Sequence, residues 1–390
     1  MPSTETDSRR KKRSAKKRRS LLPLLVFFIL VLMAASGVLI YLVRNHLEAA
    51  VGVDTTTRLS AQSGFSCEYS EAQKLYPFSN GVLKVTATRV AYLSMTGSEV
   101  YGVDIEMDHP FCVIRGDYAL VADSGGYFCA LLNEKGLVYE KQMTGAISFG
   151  ALSPDGLAGL IMEQQDTKGA VYLLDAAGEF LAQWNSVESG YPVSISFAPD
   201  RAVVNIALVD TDGSSMQPHL KQIGLPTGDQ DRKAKDLALY SPDVSSILSS
   251  VSYIGSDMTV LAGISDVLCF NNGEIKTLST SYGQIFSVFS VAEGVAVIYT
   301  DGLGQEIRME YLRSDFQRGN SIVLGNTFVD ASTIDSKVVI AVDDRILMVD
   351  AASLTIEKSV TVDQDILQVG IQKDGTVMAV TADSVRKLAL

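Results

Sequence analysis

The sequence predicts an all-β fold: a β-propeller of about eight four-stranded blades, preceded by one N-terminal transmembrane helix. Three observations support this prediction. An uncharged apolar run lies near the N-terminus, an apolar hairpin recurs about every 40 residues, and a second hairpin recurs in phase with it. Seven blades are the alternative count. We divide the chain into a basic tail, a transmembrane helix, a spacer with a candidate ring-closing strand, and the propeller, at residues 1–20, 21–43, 44–77 and 78–390.

Residues 1–20 form a basic tail on an otherwise acidic protein. The tail contains Glu5 and Asp7, and its basic side chains are Arg9, Arg10, Lys11, Lys12, Arg13, Lys16, Lys17, Arg18 and Arg19. The whole chain has a formal net charge of −12, so the remainder is strongly acidic. An acidic surface repels phosphate, which excludes nucleic acid as the partner. We expect the tail to set membrane orientation and to attract anionic lipid headgroups.

The segment Leu21–Val43 reads LLPLLVFFILVLMAASGVLIYLV and contains no charge. A helix of this length rises about 35 Å, enough to cross a hydrocarbon core of about 30 Å. A cleavable signal peptide is the competing interpretation, but its apolar region is shorter, about 7–15 residues. Among basic side chains, Arg44 and Arg58 alone follow the run closely. The positive-inside rule then predicts a single-pass protein of the cell membrane, with a cytoplasmic N-terminus and residues 44–390 outside.

From Asn80 onward, short β-branched and aromatic runs alternate with turn residues, a pattern typical of strands. The clearest example is FGALSPDGLAGLIM, Phe149–Met162, in which two apolar runs are joined by Ser-Pro-Asp-Gly. Weaker copies of this hairpin bring the number of units to eight. Their turns centre on Asn80, Asp117, Asp155, Asp200, Asp257, Glu293, Ser336 and Asp374. A period of about 40 residues with about four short strands indicates a β-propeller.

A later hairpin of different character follows the first one in most units. It is clear in AYLSMTGSEVYGVDI, CALLNEKGLVYEKQ, VYLLDAAGEFLAQW, LCFNNGEIKTLST and ILMVDAASLTIEKSV, and weak in the fourth and sixth units. The last unit lacks it. Because an open edge strand invites aggregation, we expect the segment before Asn80 to supply the missing outer strand and close the ring.

Two motifs and the overall layout resemble known propellers. Leu-Asp-x-x-Gly, followed by a strand that ends in Trp184, resembles the repeats of quinoprotein-like propellers. Ser-Pro-Asp-Gly resembles the first-hairpin turn of WD40-like and TolB-like propellers. A basic tail, one anchor and an acidic propeller of this length resemble the uncharacterised membrane-anchored propellers of Gram-positive bacteria, domain of unknown function 5711. The resemblance implies a fold and a location, with no established activity.

No motif in the sequence indicates an enzyme. Quinoprotein dehydrogenases are longer and lock their blades through many tryptophans, whereas this chain has Trp184 alone. The S-x-D-x-G-x-T-W box of sialidases and the G-x-S-x-G motif of α/β-hydrolases are absent. The histidines His46, His109 and His219 lack the spacing of metal ligands. The sequence therefore predicts no catalytic residue, no cofactor and no metal ligand.

The four cysteines, Cys67, Cys112, Cys129 and Cys269, show neither a C-x-x-C pair nor a disulfide framework. Cys112 and Cys129 fall on strands of one predicted blade that are separated by a third strand. They are then about 10 Å apart, beyond disulfide reach. We therefore expect free thiols that are buried.

One set of charged residues remains as a candidate binding face. The turn between the second and third strands carries Asp in seven of the eight units: Asp123, Asp166, Asp210, Asp266, Asp301, Asp343 and Asp383. Propeller geometry places these turns on one face around the central channel, where a carboxylate ring would attract a cation or a basic partner. Asp is also a favoured turn residue through hydrogen bonds to its own backbone, so a structural role stays open.

The fourth unit is longer than the others, and its surplus lies within Thr211–Asp243. Inserts in repeat proteins usually map to loops on one face, sometimes the binding face. Arg232, Lys233 and Lys235 give this segment local positive charge. A solvated insert and a contact loop are both compatible with this composition.

Together these observations predict a non-enzymatic binding or scaffold module for an envelope protein or a cell-wall component, held in the lipid bilayer by residues 21–43. Two alternatives stay open. One is a sensor that binds a cation or small ligand in the channel and signals through the anchor. The other is an unrecognised hydrolase that acts on wall material.

Overall fold

The computed structural model describes residues 63–68, 70, 73–200, 202–226, 234–244, 246–255, 258–271, 273–277, 282–291, 293–302, 306–313 and 315–388. The predicted basic tail and transmembrane helix, residues 1–43, lie outside these ranges, and so does the spacer up to residue 62. Within the described ranges there is no helix of the length and hydropathy needed to cross a bilayer.

The described residues form 32 strands in eight four-stranded antiparallel sheets. This confirms the all-β propeller with eight blades and excludes the seven-bladed alternative. In blades 1 to 7, four consecutive strands pair in chain order, and we name them A, B, C and D.

The first four blades follow one another along the chain. Blade 1 contains β2 (Gln73–Phe78), β3 (Gly81–Thr86), β4 (Arg89–Leu93) and β5 (Glu99–Asp104). Blade 2 contains β6 (Pro110–Arg115), β7 (Tyr118–Asp123), β8 (Phe128–Asn133) and β9 (Gly136–Gln142). Blade 3 contains β10 (Ile147–Leu152), β11 (Ala158–Met162), β12 (Gly169–Leu174) and β13 (Phe180–Ser186). Blade 4 contains β14 (Tyr191–Phe197), β15 (Val203–Asp210), β16 (Gln217–Gly224) and β17 (Lys235–Tyr240).

The next three blades repeat the same pairing. Blade 5 contains β18 (Ser250–Ile254), β19 (Met258–Ala262), β20 (Val267–Asn271) and β21 (Glu274–Thr277). Blade 6 contains β22 (Gln284–Val291), β23 (Gly294–Thr300), β24 (Ile307–Leu312) and β25 (Ser321–Gly325). Blade 7 contains β26 (Phe328–Ile334), β27 (Lys337–Val342), β28 (Arg345–Asp350) and β29 (Thr355–Thr361).

Blade 8 joins the two ends of the propeller. Its strands A to C are β30 (Ile366–Ile371), β31 (Val377–Thr381) and β32 (Ser384–Leu388), and its strand D is β1 (Ser63–Ser66). β1 pairs antiparallel with β32, with Phe65 opposite Val385. The Cys67 N–H extends the ladder by donating to the Asp383 carbonyl at 2.8 Å. A segment before Asn80 therefore closes the ring, as the missing hairpin predicted.

Apolar side chains fill the interfaces between neighbouring blades. The B and C strands are buried on both faces, so alternate residues of one strand face opposite neighbours. Leu120 of β7 packs in the cluster with blade 3, whereas Val121 packs in the cluster with blade 1. The closing interface is filled in the same way, by Val82 of blade 1 against Val380 of blade 8.

Local side-chain hydrogen bonds explain the two hairpin motifs. In the first-hairpin turn, the Ser153 hydroxyl accepts the Leu157 N–H at 2.8 Å, and Gly156 has a φ of 91°. In the second hairpin, the Asp175 carboxylate accepts the N–H groups of Ala177 and Glu179 at 2.9 and 2.7 Å. Both turns are therefore held by hydrogen bonds between residues at most four positions apart.

The A strands of neighbouring blades contact one another, as β26 and β30 do, and β30 and β2 complete the circle. The carboxylate of Asp330 on β26 accepts the Val369 N–H of β30 at 2.9 Å. Strand A is the first strand of every blade along the circle of A strands. The antiparallel order A–B–C–D therefore determines which loops share a face. The B–C turns and D–A connections lie at one end of the strands, and the A–B and C–D turns lie at the other.

Candidate binding face

We use the name B–C face for the end of the propeller formed by the B–C turns and the D–A connections. Backbone hydrogen bonds hold these loops together. The Gly125 N–H of the blade 2 turn donates to the Ile147 carbonyl at 2.7 Å, and the Ile147 N–H donates to the Gly126 carbonyl at 2.7 Å. In blades 5 and 6, the Ile285 N–H donates to the Ile264 carbonyl at 2.6 Å. These bonds tie the B–C turns of blades 2 and 5 to the A strands of blades 3 and 6.

The structure places every Asp of the predicted set at the B–C turn of its blade, in blades 2 to 8. The corresponding turn of blade 1 is Ala87–Thr88. The seven carboxylates have different surroundings, so they do not form a uniform ring. Among the described residues, no three His, Cys, Asp or Glu side chains are arranged to hold a metal ion.

Two of the seven aspartates accept backbone N–H groups from the D–A connection that leads into their blade. Asp123 is 7% exposed, and its Oδ1 accepts the N–H groups of Asp108 and His109 at 3.1 and 2.7 Å. Asp343 Oδ1 accepts the Thr327 N–H at 2.9 Å. Each carboxylate ties the B–C turn to the D–A connection beside it. This is the structural role that the sequence left open.

Asp210 belongs to an ion-pair cluster between blades 3 and 4. The Lys168 ammonium lies 3.2 Å from Asp210 Oδ1 and 2.5 Å from Asp212 Oδ2. The Asp212 N–H and then Lys168 lower the pKa of Asp210 below its ordinary value. His219 Nε2 lies 3.8 Å from Asp210 Oδ2, and Lys168 also sits 6.0 Å from the centre of the Tyr191 ring.

The remaining aspartates have fewer contacts with the fold. Asp383 accepts the Gln364 side-chain N–H at 2.5 Å, and Asp266 accepts the Ser265 hydroxyl at 3.1 Å. Asp166 is exposed on the blade 3 turn with a φ of 59°. Asp301 begins the blade 6 turn, and residues 303–305 of that turn lie outside the described ranges.

The B–C face also carries exposed apolar side chains that the sequence analysis missed. They lie on loops of blades 2 to 5 or at the strand end beside them, and we call them the apolar arc: Tyr127, Val187, Tyr191, Met216, Ile247 and Ile264. Ile264 is 69% exposed and Val187 60%. The other large exposed apolar residues of the described chain lie on outer D strands: Val100, Leu137, Leu237, Leu239, Val323 and Ile356. A signal was available, because Ile264 in GISD and Met216 in SSMQ are apolar residues within polar turns.

Carboxylates surround the apolar arc. The exposed ones on the described loops of blades 2 to 5, including the connection into blade 2, are Glu106, Asp108, Glu163, Asp166, Glu188, Asp212 and Asp243. Lys168 is the one Lys or Arg among these described loops, and it is already held by Asp210 and Asp212. The described turns of the opposite face mix acidic side chains with Lys135, Arg313, Arg318 and Lys373. The loops that carry the apolar arc therefore also carry an excess of exposed carboxylates.

A cavity of about 460 Å³ lies at the seam between blades 8 and 1. Its lining includes Gln73, Lys74, Leu367, Gln368 and Thr381. The Gln368 side-chain carbonyl is buried and has no hydrogen-bond partner among the described residues. This cavity is a second candidate binding region, separate from the apolar arc.

The long fourth unit is only partly regular structure. Within Thr211–Asp243, residues 211–216 form the B–C turn and two strands follow, β16 and β17. The C–D loop between these strands lies on the face opposite the apolar arc. Arg232 and Lys233 lie outside the described residues, and Lys235 is the first residue of β17. The described residues of this C–D loop therefore do not contribute to the B–C face, whereas Asp212 and Met216 of the same segment do.

All four cysteines are free, which confirms the prediction of unpaired thiols. Cys129 and Cys269 are buried, and Cys67 and Cys112 are partly buried by exposed area. Burial raises the pKa of Cys129 to about 12 and that of Cys269 to about 11. These two thiols are protonated at neutral pH and behave as small apolar side chains.

Solved structures share this architecture at very low sequence identity. Sqt1 of Saccharomyces cerevisiae has a TM-score of 0.61 and 11% identity, over 85% of this chain and all of that chain. BamB of Moraxella catarrhalis has a TM-score of 0.53 and 12% identity, over 85% of this chain and 99% of that chain. NirN, a dihydro-heme d1 dehydrogenase solved with DHE, has a TM-score of 0.54 and 13% identity, over 81% of this chain and 73% of that chain.

These similarities establish the propeller fold and leave function undecided, because one fold supports binding proteins and enzymes alike. No curated protein matches the sequence. The model of one family matches residues 53–390, which include all the described strands and most of the chain. The protein therefore belongs to the family of unknown function DUF5711.

Proposed function

We propose that this protein is a single-pass membrane protein whose propeller lies outside the cytoplasm and acts as a non-enzymatic binding or scaffold module for an envelope protein or cell-wall component. The proposal takes its membrane placement from the sequence alone, from the uncharged run Leu21–Val43 and the basic tail before it. The propeller then displays its faces to the cell envelope.

The apolar arc is the observation that carries the binding proposal. Monomeric proteins rarely cluster large exposed apolar residues, and such patches typically mark interaction sites. Two of the six arc residues, Tyr127 and Tyr191, are tyrosines, a residue type enriched at interfaces. Backbone hydrogen bonds between blades hold the turns that carry Tyr127 and Ile264, so little ordering of these two turns is needed on binding.

Photo-cross-linking in intact cells tests this proposal. The full-length protein carries a benzophenone amino acid at Tyr191 in one variant and at Leu137 in the other. Leu137 is the matched control because it is also exposed but lies on an outer strand. We expect one stoichiometric adduct from Tyr191 and none from Leu137. Equal adducts from both positions, or none from Tyr191, would contradict binding at the apolar arc.

The cavity at the blade 8–blade 1 seam favours a second candidate function, a small-ligand sensor. The buried, unpartnered carbonyl of Gln368 is an acceptor for an N–H or O–H group of a polar ligand. Calorimetry with Ca²⁺ and small polar metabolites tests it, with Gln368→Leu as the variant that removes the carbonyl. Heat that the variant abolishes supports a sensor, and absence of heat and of any melting shift argues against one.

A further inference from the structure

We propose that the apolar arc binds a polypeptide segment that is cationic and amphipathic, with Lys or Arg on one side and large apolar residues on the other. The proposal rests on the binding function proposed above and specifies the chemistry of the partner. Two independent properties of the same loops lead to it: their exposed apolar side chains and their excess of carboxylates.

The apolar side chains supply area for a partner's apolar side. Tyr191 is 48% exposed, and the Lys168 ammonium lies 6.0 Å from the centre of its ring. Met216 and Ile247 lie on the turn and connection that flank the same part of blade 4. A few large, well-placed side chains of this kind carry most of the affinity of typical interfaces.

The carboxylates select the sign of the partner's charge. Glu163, Asp166 and Glu188 are exposed on loops that neighbour Tyr191 along the chain or in the adjacent blade turn. The nearby cation, Lys168, is already paired with Asp210 and Asp212. A cationic partner would thus gain attraction at both short and long range, and an anionic polymer such as a polyphosphate chain would be repelled.

The probe is a synthetic helical peptide of about 18 residues, with lysine on one face and leucine on the other. A second peptide replaces every lysine with glutamate and keeps the leucines. The full chain is held in neutral detergent, and affinity is measured by fluorescence anisotropy. We expect the lysine peptide to bind at least about tenfold more tightly than the glutamate peptide, and its affinity to fall as salt is raised.

Two pairs of variants separate specific docking from general attraction to an acidic protein. The first pair neutralises three carboxylates on either face, Glu163→Gln, Asp166→Asn and Glu188→Gln against Glu134→Gln, Glu179→Gln and Glu293→Gln. The second pair removes apolar side chains, Tyr127→Ser, Tyr191→Ser and Ile264→Ser against Val100→Ser, Leu137→Ser and Val323→Ser. All twelve side chains are exposed, so the variants should fold.

Each member of a pair removes the same number of charges or apolar groups, and they differ in where those groups lie. We expect the variants of the B–C face to weaken the lysine peptide by about tenfold, and the controls by less than about twofold. Equal weakening by both members of a pair, or equal affinity for the two peptides, overturns the proposal. If Tyr191 still cross-links to an envelope protein in that case, the binding function stands and only the cationic partner is wrong.

Discussion

Trp184 donates its indole N–H to the Asp236 carboxylate across the boundary between blades 3 and 4, with 2.9 Å between Nε1 and Oδ1. The Lys221 ammonium lies 2.9 Å from the same carboxylate and 5.7 Å from the centre of the Trp184 ring. The single tryptophan of the chain therefore joins the outer strand of one blade to the outer strands of the next. It does so through a cation–π contact as well as a hydrogen bond.

Replacing Trp184 with Phe should destabilise the propeller by about 1–3 kcal/mol, because a partly buried hydrogen bond is lost and the smaller ring leaves a void at a buried position. Urea unfolding followed by circular dichroism measures the change. Tyr127→Phe is the control, since Tyr127 is half exposed on the B–C face. A Trp184→Phe protein that unfolds at the wild-type urea concentration would show that this boundary is not held by the indole.

The predicted Asp set should divide into structural and surface members. Asp123→Ala leaves two backbone N–H groups without their buried acceptor, so we expect a loss of about 1–3 kcal/mol. Asp166→Asn removes an exposed charge and keeps a side chain that tolerates the φ of 59°, so it should change stability by less than about 0.5 kcal/mol. Thermal unfolding of the two variants gives the comparison. Equal effects would mean that the carboxylates have one common role.

Closure of the ring by β1 should be sensitive to Gly64. A Cβ at this position would lie 2.2 Å from the Val385 carbonyl oxygen of the paired strand. Gly64→Ala should therefore disturb the β1–β32 pairing and cost about 1–3 kcal/mol. It should also increase aggregation, because the edge of β32 becomes accessible.

The matched control for this prediction is Gly302→Ala, since a Cβ at Gly302 meets no atom of the described residues within 4 Å. Light scattering during heating compares the aggregation of the two variants. Equal melting temperature and scattering in both would indicate that closure by β1 contributes little to stability.

Part of the free energy of unfolding should depend on the ionisation of Asp350 at acidic pH. Hydrogen bonds from the Ser353 N–H and hydroxyl, at 3.0 and 2.8 Å, and then Lys337 hold the pKa of Asp350 well below its ordinary value. A lowered pKa in the folded state stabilises the protein above the unfolded pKa of about 3.9 and loses this contribution as pH falls below it. The stability difference between wild type and Asp350→Asn should therefore shrink between pH 6 and pH 3.

Urea midpoints at pH 6, 4.5 and 3 measure that difference. Asp344→Asn serves as the control, because Asp344 is an exposed carboxylate in the same blade. A difference for Asp350→Asn that stays constant over this pH range would contradict the assigned cause.

Much of the architecture could be predicted because short segments of sequence specify the hairpin turns. The turn at Ser153 is held by hydrogen bonds to residues within four positions, and that at Asp175 likewise. Repetition of such hairpins determined the blade count and the need for a closing strand before Asn80. The membrane placement rests on the sequence alone, because hydropathy and charge asymmetry around Leu21–Val43 need no tertiary contact to be recognised.

Tertiary structure decided what the side chains at those positions do. Asp123 and Asp166 occupy equivalent turns, yet one is buried against a connection about 15 residues earlier and the other faces solvent. Ile264 stands out in the sequence as an apolar residue within a polar turn, but its 69% exposure is visible only in the structure. Exposure and long-range pairing depend on how blades pack against one another, and local sequence patterns do not contain that geometry. Local sequence patterns therefore specify the eight-bladed propeller and predict its anchor, and blade packing decides which side chains the B–C face exposes.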